Sequence, residues 1–242
     1  MFKAVLFDLD GTLLKMDTDV FLEEYLRLLA QEIASYQEPA VFVQHLLDAI
    51  RAMINNLDSA KTNQEVFMEE FFARSGLEAE VMMPVFDSFY RGSFRQLQRI
   101  SEFDPVVPQV IEQTLARGCR AVIATNPVFP KIAVMERLSW AGISQYPYDL
   151  ITSYENMHFC KPRLEYYREV SEMIGIQPAE CLMVGNDVEE DLVAKEIGMK
   201  TFLVDTFLIN RREMPIVTDY RGSLTDYLEL ISRIPKRWSI IS

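Results

Sequence analysis

The stretch FDLDGTLL, residues 7–14, closes an apolar run that begins at Ala4 and ends it with two carboxylates, Asp8 and Asp10. Residues i and i+2 of a strand point to the same side, so an extended backbone sets both charges in one place. Buried together, they cost on the order of several kcal/mol unless a cation or a substrate group compensates. Gly11 follows directly, so Asp10 also suits an Asx turn.

Outward from this stretch, short β-rich runs alternate with amphipathic ones. Strands are expected at 3–8, 119–125, 149–153, 181–185 and 200–205, and helices at 105–117, 130–141, 162–174 and 189–197. Proline opens the first three of those helices, and Gly118, Gly142, Gly175 and Gly198 each follow a helical run. Continuously apolar strands alternating with helices predict an α/β fold, a doubly wound parallel sheet covered on both faces.

Residues 16–96 break the alternation. Apolar residues recur there at helical spacing, as in Phe21, Tyr25, Leu28 and Leu29, or Phe42, Leu46, Ala49, Ile50 and Met53. Further helical runs at 66–72 and 85–94 are expected to be separated by Ser75-Gly76 and Pro84. The reading is an all-α insertion (16–96) in a core made of 1–15 and 97–242, with hinges near 14–18 and 95–103. Because it starts just past the carboxylates, the insertion should hang over them. One more helix is expected at 224–234.

Formal net charge is −12, which opposes binding to nucleic acid or an anionic membrane through a basic face. No apolar run reaches the roughly 18 residues of a membrane span, and no cleavage signal is evident at the start. Three cysteines without paired spacing suggest neither a disulfide framework nor a zinc knuckle, so a cytoplasmic location is expected.

Polar groups gather where the expected strands end: Asp8 to Thr12 after the first, Thr125 and Asn126 after the second, Lys161 shortly past the third, and Gly185 to Asp191 after the fourth. A parallel sheet brings all carboxyl ends to one edge. These four motifs in order, with the helical insertion between the first and second, resemble the haloacid dehalogenase superfamily, most of whose members are magnesium-dependent phosphatases.

The resemblance implies a Mg²⁺-dependent phosphatase acting on a small phosphorylated metabolite, with the insertion as a helical cap. Asp8 would be the nucleophile and form an aspartyl-phosphate. Asp10 would be the general acid and base, its backbone carbonyl also ligating the metal. Members acting as dehalogenases lack that second Asp. Thr125, Asn126, Lys161, Gly11 and Thr12 would contact the substrate, Thr125 and Lys161 with a catalytic role. Lys161, taken as lying at a helix N-terminus against the dipole, would need a compensating use such as screening Asp8. The metal would fall to Asp8, Asp10, Asp187, Asn186 and Asp191. Asn186 stands where the family pattern usually has Asp, so Asp187 is the expected direct ligand, a carboxylate suiting a hard cation better than an amide. A phosphomutase, or a silent binding protein on the same scaffold, is the alternative. His158 is read as a loop residue and His45 as a bundle residue, and most of Arg27, Arg51, Arg91 and Arg95 as solvated charges.

Overall fold

The structure, a computed structural model, describes residues 2–235. The expected core segment ends at 242, and residues 236–242 lie outside the described ones. Six strands form one parallel sheet: β1 (Ala4–Phe7), β2 (Arg120–Ile123), β3 (Leu150–Ile151), β4 (Cys181–Gly185), β5 (Lys200–Val204) and β6 (Tyr220–Gly222). Their order is β3-β2-β1-β4-β5-β6. The helices are α1 (Thr18–Ile33), α2 (Pro39–Asn55), α3 (Asn63–Ser75), α4 (Ala79–Arg91), α5 (Val106–Ala116), α6 (Lys131–Trp140), α7 (Leu164–Ile174) and α8 (Leu224–Ser232).

β1 is central, with Phe7 paired beside Ile123 of β2 and Val184 of β4. Strand order reverses at β1, and ligands of doubly wound sheets bind in the crevice beyond such a reversal. Asp8 is the first residue past that strand. All of β1 is buried because both sheet faces are covered. Val5 and Phe7 join Val110, Ile111 and Tyr227 of α5 and α8, the Phe7 and Tyr227 rings meeting edge-on at 5.6 Å. Ala4 and Leu6 join Tyr166, Tyr167 and Val170 of α7 on the other face. An apolar strand without polar alternation is the consequence.

Between β1 and α5 the described residues contain no named strand, only α1 to α4 and a 3-10 segment, Ser93–Ile100, that runs through the expected boundary at 96/97. Asp17 caps α1 by accepting from the N–H groups of Asp19 (2.9 Å) and Val20 (3.1 Å). A Thr62–Glu65 capping box opens α3. Inside, Phe71 packs its ring against Phe42 (5.7 Å), Phe67 (5.8 Å) and Phe86 (5.7 Å). Pro84 does not separate helices but sits within α4. Burial of Met82, Phe86 and Phe89 along one face outweighs the roughly 3 kcal/mol that an interior proline costs. The two expected hinge segments run side by side, the Glu102 N–H donating to the Lys15 carbonyl at 2.9 Å.

Other differences are local. β3 and β6 are short; β6 escaped sequence reading because its three residues carry no apolar pattern and its first two are exposed. α7 begins at Leu164, not at Pro162, and 189–197 forms a turn followed by a 3-10 segment, Leu192–Ile197. Among the described residues no helix is long and apolar enough to cross a membrane.

Candidate active site

Beyond the carboxyl ends of β1, β2 and β4 lies a cavity of about 230 Å³. Asp8, Asp10, Thr125, Asn126, Asp187 and Glu190 line its polar side, and Phe21 and Leu22 of α1 face them from the insertion.

Lys161 organises the polar side. Fully buried, its Nζ donates to Asp8 Oδ1 at 2.8 Å and to Asp191 Oδ1 at 2.6 Å. Burial alone would lower the Lys161 ammonium, but Asp191 and Asp8 outweigh it and hold it well above its usual range. Burial lifts the Asp191 carboxyl above the usual carboxylate range, with Lys161 pulling it back. The lysine is not at a helix N-terminus: α7 starts three residues later, and its charge is compensated by the two carboxylates. Asn126 positions it, accepting from the Lys161 N–H (3.2 Å) while its amide nitrogen reaches both Glu190 oxygens at 3.1 Å. Thr125 is held through its carbonyl, which accepts from Thr152 Oγ1 (2.8 Å) and the Tyr166 hydroxyl (3.0 Å).

The acidic loop folds on itself. Asp187 Oδ1 accepts from the N–H groups of Glu189 (2.7 Å) and Glu190 (2.9 Å), and Asp191 Oδ2 from that of Asp187 (3.0 Å). These carboxylates end the segment as a turn instead of the expected helix start. A Cβ at Gly185 would collide with the Asp191 carboxylate, and one at Gly11 (φ +79°) with the Asn186 amide. Both glycines are therefore required by close approach.

Gly11 and Thr12 do not line the cavity. The Thr12 hydroxyl donates to Asn186 Oδ1 (2.9 Å), and the Asn186 amide nitrogen donates to the Phe207 carbonyl (2.7 Å). Gly11 and Thr12 thus brace the loop without lining the cavity, whereas Asn186 lines it with both ends of its amide engaged.

Two cations escaped sequence reading. Arg137, in the last turn of α6, is wholly buried, pairs through Nη1 with Asp10 Oδ2, and lies over the Phe129 ring at 4.5 Å. Burial raises the Asp10 carboxyl, Arg137 opposing and Asp8 adding to the effect. Arg211 links the loop to the insertion, 3.5 Å from Asp187 Oδ2 and 2.8 Å from Asp19 Oδ1 of α1. The available signal for Arg137 was Asp10 itself, a carboxylate beside another that needs a counter-charge. Arg211 sat in a tail without pattern.

His158 lies away from the cavity and pairs with Glu169 at 2.5 Å; His45 sits half-buried on α2. Arg27, Arg51, Arg91 and Arg95 are exposed and each paired with an acidic residue.

Around the cavity stand five carboxylates (Asp8, Asp10, Asp187, Glu190, Asp191) and three cations (Lys161, Arg137, Arg211), a formal excess of two negative charges. Burial has pushed Glu190 up to about 7. Among the described residues, no three His, Cys, Asp or Glu side chains are grouped to hold a metal as they stand. All five residues of the expected set line the cavity, each also engaged within the protein: Asp8 and Asp191 by Lys161, Asp10 by Arg137, Asp187 by Arg211 and Asn186 by Thr12 and Phe207. Asp10 Oδ1 is buried without a partner. Oxygen donors with an uncompensated charge fit a hard divalent cation.

A family profile described as haloacid dehalogenase-like hydrolase matches residues 2–198. The N-acetylmuramic acid 6-phosphate phosphatase of Pseudomonas aeruginosa is 24% identical over 243 residues, covering 94% of this chain and 95% of its own. Pyrophosphatase PpaX of Bacillus mycoides is 21% identical over 233 residues, covering 96% and 97%. A solved HAD phosphatase from Thermococcus onnurineus shares the fold with a TM-score of 0.60 at 20% identity, covering 98% of this chain and 100% of that one.

Proposed function

The chain belongs to the haloacid dehalogenase-like hydrolases, and from that membership we propose that it is a magnesium-dependent phosphatase hydrolysing a phosphorylated metabolite, a phosphate monoester, through an aspartyl-phosphate on Asp8. Relatives that act as phosphatases support the phosphoryl chemistry. The observation that carries the reading is the Asp8–Lys161–Asp191 array with Asp10 on the same cavity.

Lys161 holds Asp8 Oδ1, so the other carboxylate oxygen is the one that attacks phosphorus. The bond from phosphorus to Asp8 forms as that to the leaving alcohol breaks, and Asp10 gives its proton to the departing oxygen. A raised Asp10 pKa keeps that proton available. Water then attacks the phosphoryl group, Asp10 takes its proton back, and Asp8 is released with inorganic phosphate. Asp8 and Asp187 would hold the magnesium ion, which when bound offsets the negative excess and polarises the phosphoryl oxygens. Thr125 and Asn126 line the same polar side, and closure of the insertion through α1 over the cavity would exclude water.

A phosphomutase would need a second anion site. Of the residues lining the larger cavity in the insertion only Arg91 is basic, and it is exposed beside Asp87 at 3.7 Å. The test is phosphate release from a panel of monoesters with Mg²⁺, and mass spectrometry of the quenched enzyme for a phosphoryl group on the Asp8 peptide. Release that needs no Asp8 would sink the proposal.

A further inference from the structure

A second cavity, of about 440 Å³ and partly open, lies between α1, α2, α3 and α4 of the insertion and residues 126–132, Tyr154 and Glu155 of the core. It adjoins the reaction cavity: Leu22, Asn126, Val128 and Phe129 line both. Helical bundles pack to densities that leave few voids larger than a water. This space would hold roughly fifteen waters. Its volume is within the range of sites that take small organic ligands.

The walls define what could enter. Leu29, Leu46, Ile50, Phe67, Met68 and Phe86 present hydrocarbon. Of the uncharged polar lining groups, the Tyr25 and Tyr90 hydroxyls pair with each other at 2.9 Å and the Tyr154 hydroxyl with the Gln64 side chain. Burial holds the Tyr25 hydroxyl up to about 12, so it stays uncharged. The charged lining residues have their own partners, Arg91 with Asp87 and Glu155 with the Lys131 N–H at 2.9 Å. A sugar or polyol would lose hydrogen bonds to water here and find few replacements. A second anionic group would find no unpaired cation among these lining residues.

We infer that the 440 Å³ cavity holds the leaving group of the substrate, and that the substrate is a phosphate monoester whose alcohol carries an apolar chain or ring. This rests on the phosphatase reading and goes beyond it by naming the substrate class. The ester oxygen would sit at the shared wall, with the phosphoryl group toward Asp8 and the hydrocarbon between the helices.

The test is a series of straight-chain monoalkyl phosphates, methyl to octyl, assayed on the full chain with Mg²⁺, beside glycerol and hexose phosphates. Each methylene that enters the cavity should raise kcat/KM about threefold to fourfold, through KM, until the cavity is filled. Ile50→Trp, which narrows the cavity, should lower the octyl-to-methyl ratio at least about tenfold, the equivalent of the few methylenes it displaces. A flat series, or hexose phosphate turned over as well as octyl phosphate, overturns the inference while leaving a phosphatase. If no ester, methyl phosphate included, is hydrolysed, the phosphatase reading fails instead. Calorimetric titration with methyl and octyl phosphate then decides the cavity: affinity rising with chain length, with a negative heat-capacity change, supports an apolar site, and equal affinities reject it.

Discussion

The two cavities share a wall of four residues and are built on opposite physics. The cavity at the strand ends is made of charges, its carboxylates held by specific donors, as Asp8 is by Lys161 and Asp10 by Arg137. The neighbouring cavity is made of helix faces, where Leu46 and Phe67 contribute area and little direction. Charge in a dry place demands placement, because an unpaired ion costs far more than a misplaced methyl group. Apolar area is tolerant of such displacement. On the proposed reading, chemistry and selection are separated across the shared wall.

The sharpest way to break that contrast is Asp8→Asn, which keeps the shape and removes the attacking charge. Phosphate release should fall by about 10⁴-fold or more, with the circular-dichroism spectrum unchanged. A variant that retains the parent rate ends the nucleophile assignment.

Next in size is Arg137→Met, which leaves Asp10 buried without its cation. Loss of one partner from a buried pair should cost about 3–5 kcal/mol in urea unfolding. The limb of the pH–rate profile governed by Asp10 should move to higher pH, since Arg137 lowers that carboxyl against the effect of burial. Unchanged stability and an unchanged profile would mean that the pair does not hold Asp10.

On the apolar side the expected effect is smaller. Leu46→Ala should cost about 2–3 kcal/mol, toward the low end of the usual range, because one side of Leu46 already faces empty space. The preferred alkyl chain should lengthen as the cavity grows. A loss of turnover equal for methyl and octyl phosphate would contradict the separation of the two cavities.

The smallest effect is on pH dependence. Burial raises Glu190 from 4.5 to about 7, so the folded chain binds a proton more tightly than the unfolded one. Its contribution to stability is full below about 4.5 and is lost as pH rises through about 7. Without divalent ions, Tm should therefore fall across that window, and Glu190→Gln should flatten the fall. A Tm that rises from pH 5 to 7 in the parent would reverse the sign of the argument.

How much of this was legible in the sequence differs by element. The apolar run into Asp8 reads as a buried strand because a parallel sheet covered on both faces leaves β1 no polar position. The helices of the insertion read well because their buried stripes repeat at helical spacing, whereas Pro84 misled, since tertiary burial outweighed a local penalty. Asp187 and Asp191 were legible as acids at a strand end, yet their fold-back onto backbone N–H groups was not, because it depends on Lys161 drawing Asp191 inward. Asn186 was legible as a polar group at the strand end and does line the cavity, but its ties to Thr12 and Phe207 were not legible. Arg137 was illegible, since an arginine in a helix is ordinarily solvated.

Local order along the chain, carried by short-range rules of period, cap and turn, determined the strands, the helices and the succession of polar groups that close them. Tertiary structure alone decided which charges meet, which stand behind others, and where packing stops short and leaves room between helices. Periodicity says that a residue faces inward, whereas a counter-ion or a void depends on what arrives from elsewhere in the chain.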